Sequence, residues 1–127
     1  MRYAKYIRLY ADQNGESHFE DLEVELAPMD FAPPAAPLNV AQFLPTARSF
    51  GVGFPAGWHG ETPHPTPRRQ IFCLLAGTYE VTASDGTARR FDAGDVLLLE
   101  DTAGKGHSTR IIGNREGLAF VVALTNE

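Results

Sequence analysis

Strict alternation of apolar and charged side chains constrains the fold of this chain more than any other feature. Between Leu22 and Leu26 every second residue is apolar, and Glu23 and Glu25 lie between them. Successive side chains of a β-strand point to opposite faces, so this pattern predicts a strand with one buried face. Similar short runs recur along the 127 residues, and no stretch has convincing helical spacing. We therefore expect an all-β protein.

Turn residues divide the sequence into short strands at even spacing. Asp85 and Gly86 form an Asp-Gly pair, a strong hairpin signal between two strands. The strand at 70–75 is expected to form a hairpin with the next strand across Ala76 and Gly77. Such spacing favours an antiparallel sandwich or barrel. The predicted strands cover residues 22–26, 40–44, 48–54, 70–75, 78–83, 87–91, 96–99, 107–112 and 118–124.

The N-terminal third, residues 1–38, is expected to supply extra strands followed by a linker. Four prolines between Ala27 and Leu38 favour irregular structure there. Apolar and aromatic side chains such as Tyr3, Ile7 and Leu9 would be exposed if this segment stood alone. Strands of this kind favour pairing with a partner, so they are expected to lie on the barrel or to exchange with a second copy. We predict a homodimer.

Composition narrows the range of functions. The net charge of -5, with no basic stretch, disfavours binding to nucleic acid or to an anionic membrane surface. The longest apolar runs are too short to span a bilayer, and the N-terminus lacks the apolar core of a secretory signal, so a cytoplasmic protein is expected. Cys73 is the single cysteine, which excludes an intramolecular disulfide or a cysteine zinc cluster.

Two stretches of the sequence resemble the motifs of the cupin family. The first cupin motif reads H-x-H-x(3,4)-E-x(6)-G. His64 matches its first histidine and Gly77 its closing glycine, while Thr66 stands at the second histidine and Gln70 at the glutamate. The second motif contains P-x-G-D followed by a histidine. Residues 92–95 match it with aspartate in place of proline, and His107 matches the histidine.

The resemblance covers about residues 50–124 and implies a single cupin domain over residues 1–127. Its expected fold is an all-β jelly-roll barrel of antiparallel strands, with a site inside the barrel and often a dimer. The family includes dioxygenases, isomerases, lyases, sugar-binding modules and seed storage proteins, so the fold alone does not choose a function.

The polar residues of the first motif alternate along the chain. His64, Thr66, Arg68 and Gln70 have the same parity as Phe72. If Phe72 fills the core, these four side chains are expected to line the wetter end of the same interior. Inward polar groups need partners, and a ligand or an ion is a candidate partner.

One hypothesis is a metal-dependent enzyme. Cupin metal sites typically use three histidines and a carboxylate. In this chain the candidate ligands are His64, Gln70 and His107, with His59 as a third imidazole. Such a set suits zinc, nickel, manganese or iron, which would act as a Lewis acid in a dioxygenase, isomerase or lyase type of reaction. The residues do not choose among these reactions and identify no catalytic group.

A second hypothesis, which we place slightly ahead because the metal set is incomplete, is a small-molecule binding protein. Arg68, Gln70, Thr66 and Trp58 are the candidate ligand contacts, and the expected ligand is a small carboxylate or a sugar-like compound. Glu100 and Asp101 are interpreted as solvated loop charges, with orientation of His107 by a carboxylate as the alternative. A third hypothesis is a structural or partner-binding role with an empty barrel.

Overall fold

The regular structure of this chain is β-strand throughout the part described. The computed structural model describes residues 2–125, and Met1, Asn126 and Glu127 of the expected domain lie outside that range. The all-β class is confirmed. The strands are β1 Tyr3–Ala11, β2 Ser17–Glu25, β3 Ala27–Met29, β4 Leu38–Val40, β5 Thr46–Phe54, β6 His59–His64, β7 Gln70–Ala76, β8 Tyr79–Ala83, β9 Ala88–Phe91, β10 Val96–Glu100, β11 His107–Ile111 and β12 Gly117–Leu124.

Two large sheets share one hydrophobic core. The six-stranded sheet has the order β2-β1-β10-β7-β12-β5, and the four-stranded sheet has the order β6-β11-β8-β9. Their hydrogen bonds do not join them into a closed barrel, so the interior lies between two sheets. The pairing of β1 with β10 is parallel, which departs from the expected antiparallel order, while the neighbouring pairs β1–β2 and β10–β7 are antiparallel.

Alternation along each strand decides which side chains enter the core. In β10, Leu97 and Leu99 are buried while Leu98 between them is half-buried on the other face. In β8, Val81 faces the core from the opposite sheet. Each fully buried side chain of this size contributes roughly 1.5–3 kcal/mol through removal from water. The core therefore requires both sheets to keep their register.

The hairpin expected between the strands at 70–75 and 78–83 is wrong. β7 pairs with β10 and β12, whereas β8 pairs with β9 and β11, so the chain crosses from one sheet to the other at Gly77. Gly77 has a φ of 94°, and a Cβ there would lie 2.9 Å from the Cα of Gly117. The motif glycine is thus needed for this crossing. The Asp85-Gly86 hairpin between β8 and β9 is confirmed.

The N-terminal segment belongs to the six-stranded sheet of its own chain. β1 lies between β2 and β10, and Leu9 is fully buried in the core. The expected linker contains the small hairpin of β3 and β4, and the strand expected at 40–44 is wrong beyond Val40. The homodimer stays a prediction, as does the single domain over 1–127. Within residues 2–125, no helix is long and apolar enough to cross a membrane.

Candidate functional site

A cavity of about 120 Å³ lies between the two sheets, beside the shared core. Its wall is largely apolar and comes from both sheets, since β7, β8 and β10 all contribute side chains. Concave, mostly apolar hollows with a few polar groups are typical of small-molecule sites. The apolar lining residues are Phe54, Trp58, Pro67, Phe72, Leu74, Tyr79, Val81, Leu97 and Leu99.

Five polar side chains line the cavity, and they come from β6, β7, β11 and the loop before β7. They are His64, Thr66, Gln70, His107 and Thr109. β11 pairs with β6 so that His107 lies opposite His64 in the ladder. Their rings are 5.3 Å apart between centroids, at an angle of 51°. The two motif histidines are therefore neighbours at one polar end of the cavity.

A buried carboxylate, Asp101, holds this polar end together. Its side chain is fully buried, and it accepts hydrogen bonds from the Thr66 hydroxyl at 2.7 Å and from His107 Nδ1 at 2.5 Å. The Thr66 backbone N–H also donates to the Asp101 carbonyl at 3.0 Å. The interpretation of Asp101 as a solvated loop charge is wrong, and the alternative, orientation of His107, describes its position.

Asp101 decides which nitrogen of His107 is free to meet a ligand. A carboxylate oxygen only accepts hydrogen bonds, so the His107 nitrogen facing it, Nδ1, carries the hydrogen. In the neutral imidazole the lone pair is then on Nε2. Across residues 2–125 we find no hydrogen-bond partner for Nε2. His107 lines the cavity, so this acceptor is available to its contents.

The loop that carries Asp101 is placed by a close backbone contact. Gly106 has a φ of 71°, and a Cβ there would lie 2.1 Å from the backbone carbonyl of His64. Only glycine fits both constraints. The buried hydroxyl of Ser17 donates to the Gly106 carbonyl at 2.6 Å. The start of β2 thus fixes the loop that carries Asp101 and leads into His107.

Gln70 presents an unpartnered amide to the cavity. Its side chain is 9% exposed and lines the cavity, and its amide makes no hydrogen bond to any residue of the described chain. The hydroxyl of Thr109, also in the lining, is unpartnered within residues 2–125 as well. No fully buried side-chain nitrogen or oxygen in residues 2–125 lacks a hydrogen-bond partner, so the amide of Gln70 is accessible from the cavity. It is therefore open to water or to the polar part of an occupant.

Three aromatic rings form one wall of the cavity. Phe54 contacts Trp58 and Tyr79 edge to face, with centroids 5.3 Å and 5.2 Å apart. The Trp58 ring also covers Gly60, where an added Cβ would lie 2.1 Å from it. The Tyr79 hydroxyl donates to the Ala76 carbonyl at 2.6 Å, and burial raises the pKa of this phenol. The polar atom of Tyr79 is therefore engaged by backbone outside the ligand space.

Two of the expected site residues lie elsewhere. Residues 65–69 form a loop between β6 and β7, so parity does not run through from His64 to Gln70. As a result Arg68 is exposed and is not part of the cavity lining, and its predicted placement there is wrong. His59 is also outside: its side chain is 74% exposed and its Nδ1 lies 2.8 Å from Glu61. The cavity does contain Trp58, Thr66, Gln70 and both motif histidines.

Comparison with known proteins supports the fold. No protein-family model matches the sequence, and no curated protein matches it. The solved cupin domain of Schizosaccharomyces pombe Cnp3 is similar to 99% of this chain and 89% of its own, at 17% identity and a TM-score of 0.51. The chain has the cupin fold. A putative ethanolamine utilization protein Q of Salmonella typhimurium is similar over 98% of each chain, at 14% identity and a TM-score of 0.31.

The side chains that line this cavity do not form a complete set of ligands for a divalent metal. No group of three histidine, cysteine, aspartate or glutamate side chains converges anywhere in residues 2–125. His64 and His107 are close, but Thr66 fills the next motif position and both oxygens of Asp101 accept hydrogen bonds already. A neutral amide at Gln70 is a weak ligand for such ions. Zinc, nickel, manganese or iron at this site stays a prediction.

Sequence reasoning named Trp58 but missed the other two rings of the aromatic wall, Phe54 and Tyr79, and it misjudged Asp101. Phe54 and Tyr79 are distant in sequence from the motif histidines and carry no motif of their own. A signal for Asp101 was present, because it lies six residues before His107, and that spacing permits the two side chains to meet across a short loop. Thr109 shares the parity of His107 on β11, which places both on the cavity side.

Proposed function

We propose that this cupin-fold protein binds a small, uncharged molecule in the cavity between its sheets. The ligand has a compact apolar body, such as a single ring, and one hydroxyl or N–H group. The observation that carries the proposal is the unpartnered Gln70 amide facing a largely apolar hollow. An apolar ligand alone would leave this amide and His107 Nε2 unsatisfied, whereas a ligand with one polar group would bind them.

The size of the cavity supports a ligand of one ring. An engineered apolar cavity of about 150 Å³ in another protein binds benzene. The cavity of about 120 Å³ here is of the same order. Edge-to-face contacts with Phe54 and Trp58 suit a flat aromatic body. A phenol is the simplest molecule with this shape and a hydroxyl donor.

The chemistry of the lining favours a neutral ligand over the carboxylate or sugar expected from sequence. The sequence predicted that Arg68 would pair with the ligand's carboxylate, but this side chain is exposed and is not part of the cavity lining. A buried carboxylate without a cation is strongly penalised. A sugar would need partners for many hydroxyls, whereas the lining offers few polar side chains. Asp101 is engaged by Thr66 and His107 and keeps Nε2 of His107 as an acceptor for a ligand hydroxyl.

Calorimetric titration with phenol, benzoate and glucose tests the proposal. We expect saturable binding of phenol at one site, with benzoate and glucose at least tenfold weaker, a difference of about 1.4 kcal/mol. Gln70→Leu should weaken phenol binding several-fold, whereas Arg68→Leu, the matched change outside the cavity, should leave it unaltered. Tighter binding of benzoate than of phenol, lost in Arg68→Leu, would contradict the proposal.

Metal analysis of the same sample separates this proposal from a metal-dependent enzyme. We expect phenol to bind equally before and after treatment with a chelator. About one divalent ion per chain, lost in His107→Ala, would instead support the metal hypothesis.

A further inference from the structure

One histidine outside the cavity, His18, lies between two carboxylates that come from different turns. Its Nε2 is 2.8 Å from an oxygen of Asp12 in the β1–β2 turn, and its Nδ1 is 2.8 Å from an oxygen of Asp85 in the β8–β9 turn. An ionised carboxylate only accepts hydrogen bonds, so both ring nitrogens carry hydrogen in this arrangement. His18 is therefore an imidazolium, and we call His18, Asp12 and Asp85 the clasp.

The other groups around His18 leave its charge to the two carboxylates. The Tyr10 ring on β1 faces the imidazole, with centroids 5.7 Å apart. The charges on the flanking elements are paired among themselves: Lys105 with Glu16, Arg8 with Glu20 and Glu100, and Arg89 with Asp21. The two carboxylates, Asp12 first, raise the pKa of His18, so the bridged form persists above pH 6.5.

The β1–β2 turn that the clasp holds also supports the loop at 101–106. The Gly15 carbonyl accepts a hydrogen bond from the Lys105 backbone N–H at 2.8 Å, and a Cβ on Gly104 would clash with the same carbonyl. Two backbones that approach this closely have little freedom to move apart from each other. Lys105 Nζ also pairs with Glu16 at 2.9 Å. A change in the position of the turn is therefore passed to the loop.

A pair of serines joins the same turn to the β8–β9 hairpin and to the loop. The backbone N–H groups of Ser17 and Ser84 each donate to the hydroxyl oxygen of the other serine, at 2.7 Å in both directions. The buried Ser17 hydroxyl donates in turn to the carbonyl of Gly106, the residue before His107. The same loop carries Asp101, which orients His107. A contiguous set of contacts thus connects the clasp with the polar end of the cavity.

We propose that the clasp is a proton-operated control of the cavity. When His18 is doubly protonated it holds the β1–β2 turn in place, and the turn keeps the loop at 101–106 where it presents His107 to a ligand. A neutral imidazole has one N–H and turns a lone pair towards the other carboxylate, so loss of the proton breaks one of the two contacts. The turn is then held less firmly, and the loop loses part of its support.

Ligand affinity and the protonation of His18 are linked in this proposal. The link rests on the proposed function, whereas the movement of the loop does not. As the pH rises through the folded-state pKa of His18, phenol should bind about fivefold more weakly, the lower end of typical coupling between two sites. Linkage is reciprocal, so bound phenol should raise the pKa of His18 further.

An NMR pH titration of the whole chain without ligand tests the movement of the loop. We expect the backbone amide of Lys105, which contacts the β1–β2 turn, to shift with the same midpoint as the His18 ring. Asp85→Asn removes one charge from the clasp while keeping the shape of the side chain, and it should lower both midpoints together. His59→Gln, the matched loss of an exposed histidine outside the clasp, should leave both midpoints unchanged.

Calorimetric titration of phenol below pH 6.5 and above the folded-state pKa of His18 tests the link to ligand binding. Protonation of the cavity's own histidines affects all variants alike, so the measure is the difference between proteins. We expect a loss of affinity of about fivefold in the wild type and in His59→Gln, and its absence in His18→Gln. If His18→Gln does not fold by circular dichroism, Asp85→Asn takes its place and should move the loss of affinity to lower pH.

Either of two results would overturn the proposal. The first is a Lys105 amide that does not respond to the titration of His18 in the protein without ligand. The second is a loss of phenol affinity with pH in His18→Gln that equals the loss in the wild type. If phenol binds to none of these proteins, the proposed function fails, and the titration without ligand alone decides on the clasp.

Discussion

At the scale of single residues, Asp101 controls what the polar end of the cavity can do. It is fully buried yet satisfied, because Thr66 and His107 each donate to one of its oxygens. A carboxylate in this position fixes the hydrogen on His107 Nδ1 and turns Nε2 into the acceptor that faces the ligand space. One position at which this chain departs from the cupin motif therefore acquires a role, because Thr66 stands where the motif has a histidine and its hydroxyl donates to the carboxylate.

The role of Asp101 predicts the effect of Asp101→Asn. An amide can accept from Thr66 or from His107 but does not carry the charge that favours hydrogen on Nδ1. We expect phenol binding about tenfold weaker, or about 1.4 kcal/mol. Nitrogen-15 NMR of the His107 ring should show hydrogen shifting from Nδ1 towards Nε2.

Variants of Thr66 provide the matched pair for this prediction. Thr66→Ser keeps the hydroxyl and should behave as the wild type. Thr66→Val removes it and leaves one carboxylate oxygen unsatisfied, at a cost of about 1–3 kcal/mol in unfolding free energy. Unchanged ring nitrogen shifts and unchanged phenol binding in Asp101→Asn would show that Asp101 is structural only.

Where a motif supplied the spacing, the sequence was enough to group residues that line the same cavity. His64, Gln70 and His107 reach the cavity as expected. Arg68 does not, because Pro65 and Pro67 lie in a loop that interrupts the strand and with it the two-residue period. Parity predicts direction only within a continuous strand, and the sequence alone did not reveal where the strand ended.

At the scale of elements, local turns were predictable and long-range partners were not. The Asp-Gly turn between β8 and β9 is specified by adjacent residues, and it forms as expected. At Gly77 a similar glycine signal marks a crossing between sheets. Such a signal indicates that the chain changes direction, but it does not indicate which strand is the next partner. The parallel pairing of β1 with β10 joins residues about ninety positions apart, for which no local signal exists.

Two turns are held together by one histidine, His18. Its Nε2 lies 2.8 Å from Asp12 in the β1–β2 turn, and its Nδ1 lies 2.8 Å from Asp85 in the β8–β9 turn. The hydrogen bond with Asp12 and then that with Asp85 raise the pKa of His18 above its ordinary 6.5. The hydrogen bond with His18 lowers the pKa of Asp12, and the Thr87 backbone N–H, together with His18, lowers the pKa of Asp85.

The contacts of His18 predict a pH-dependent stability. A raised folded-state pKa contributes stability that is fully present below pH 6.5 and is lost as the pH rises through the folded value. The urea midpoint of the wild type should therefore fall as the pH rises above 6.5 and through the folded-state pKa of His18. His18→Gln should flatten this decline, and the exposed Lys5→Gln should retain it. An equal decline in His18→Gln would show that other groups cause it.

At the scale of the whole molecule, two sheets of a cupin fold enclose a hollow. The hollow exists because both sheets contribute alternate side chains to one core while the loops before β7 and β11 bring polar groups to one end. From the composition we expect neither a membrane span nor binding to nucleic acid, and these stay predictions. The apolar character of the hollow came from residues spread over the chain, so it was not predictable from the motifs.

The most direct test of the account is an NMR titration of phenol into the wild type and into Val81→Phe. Val81 lines the cavity from β8, and phenylalanine there should occupy the ligand space while keeping or raising the melting temperature. We predict saturable shifts at the Gln70 amide and the His107 ring in the wild type and none in the folded Val81→Phe protein. Equal phenol binding in both proteins, or shifts confined to surface residues, would contradict the claim that the cavity is the binding site.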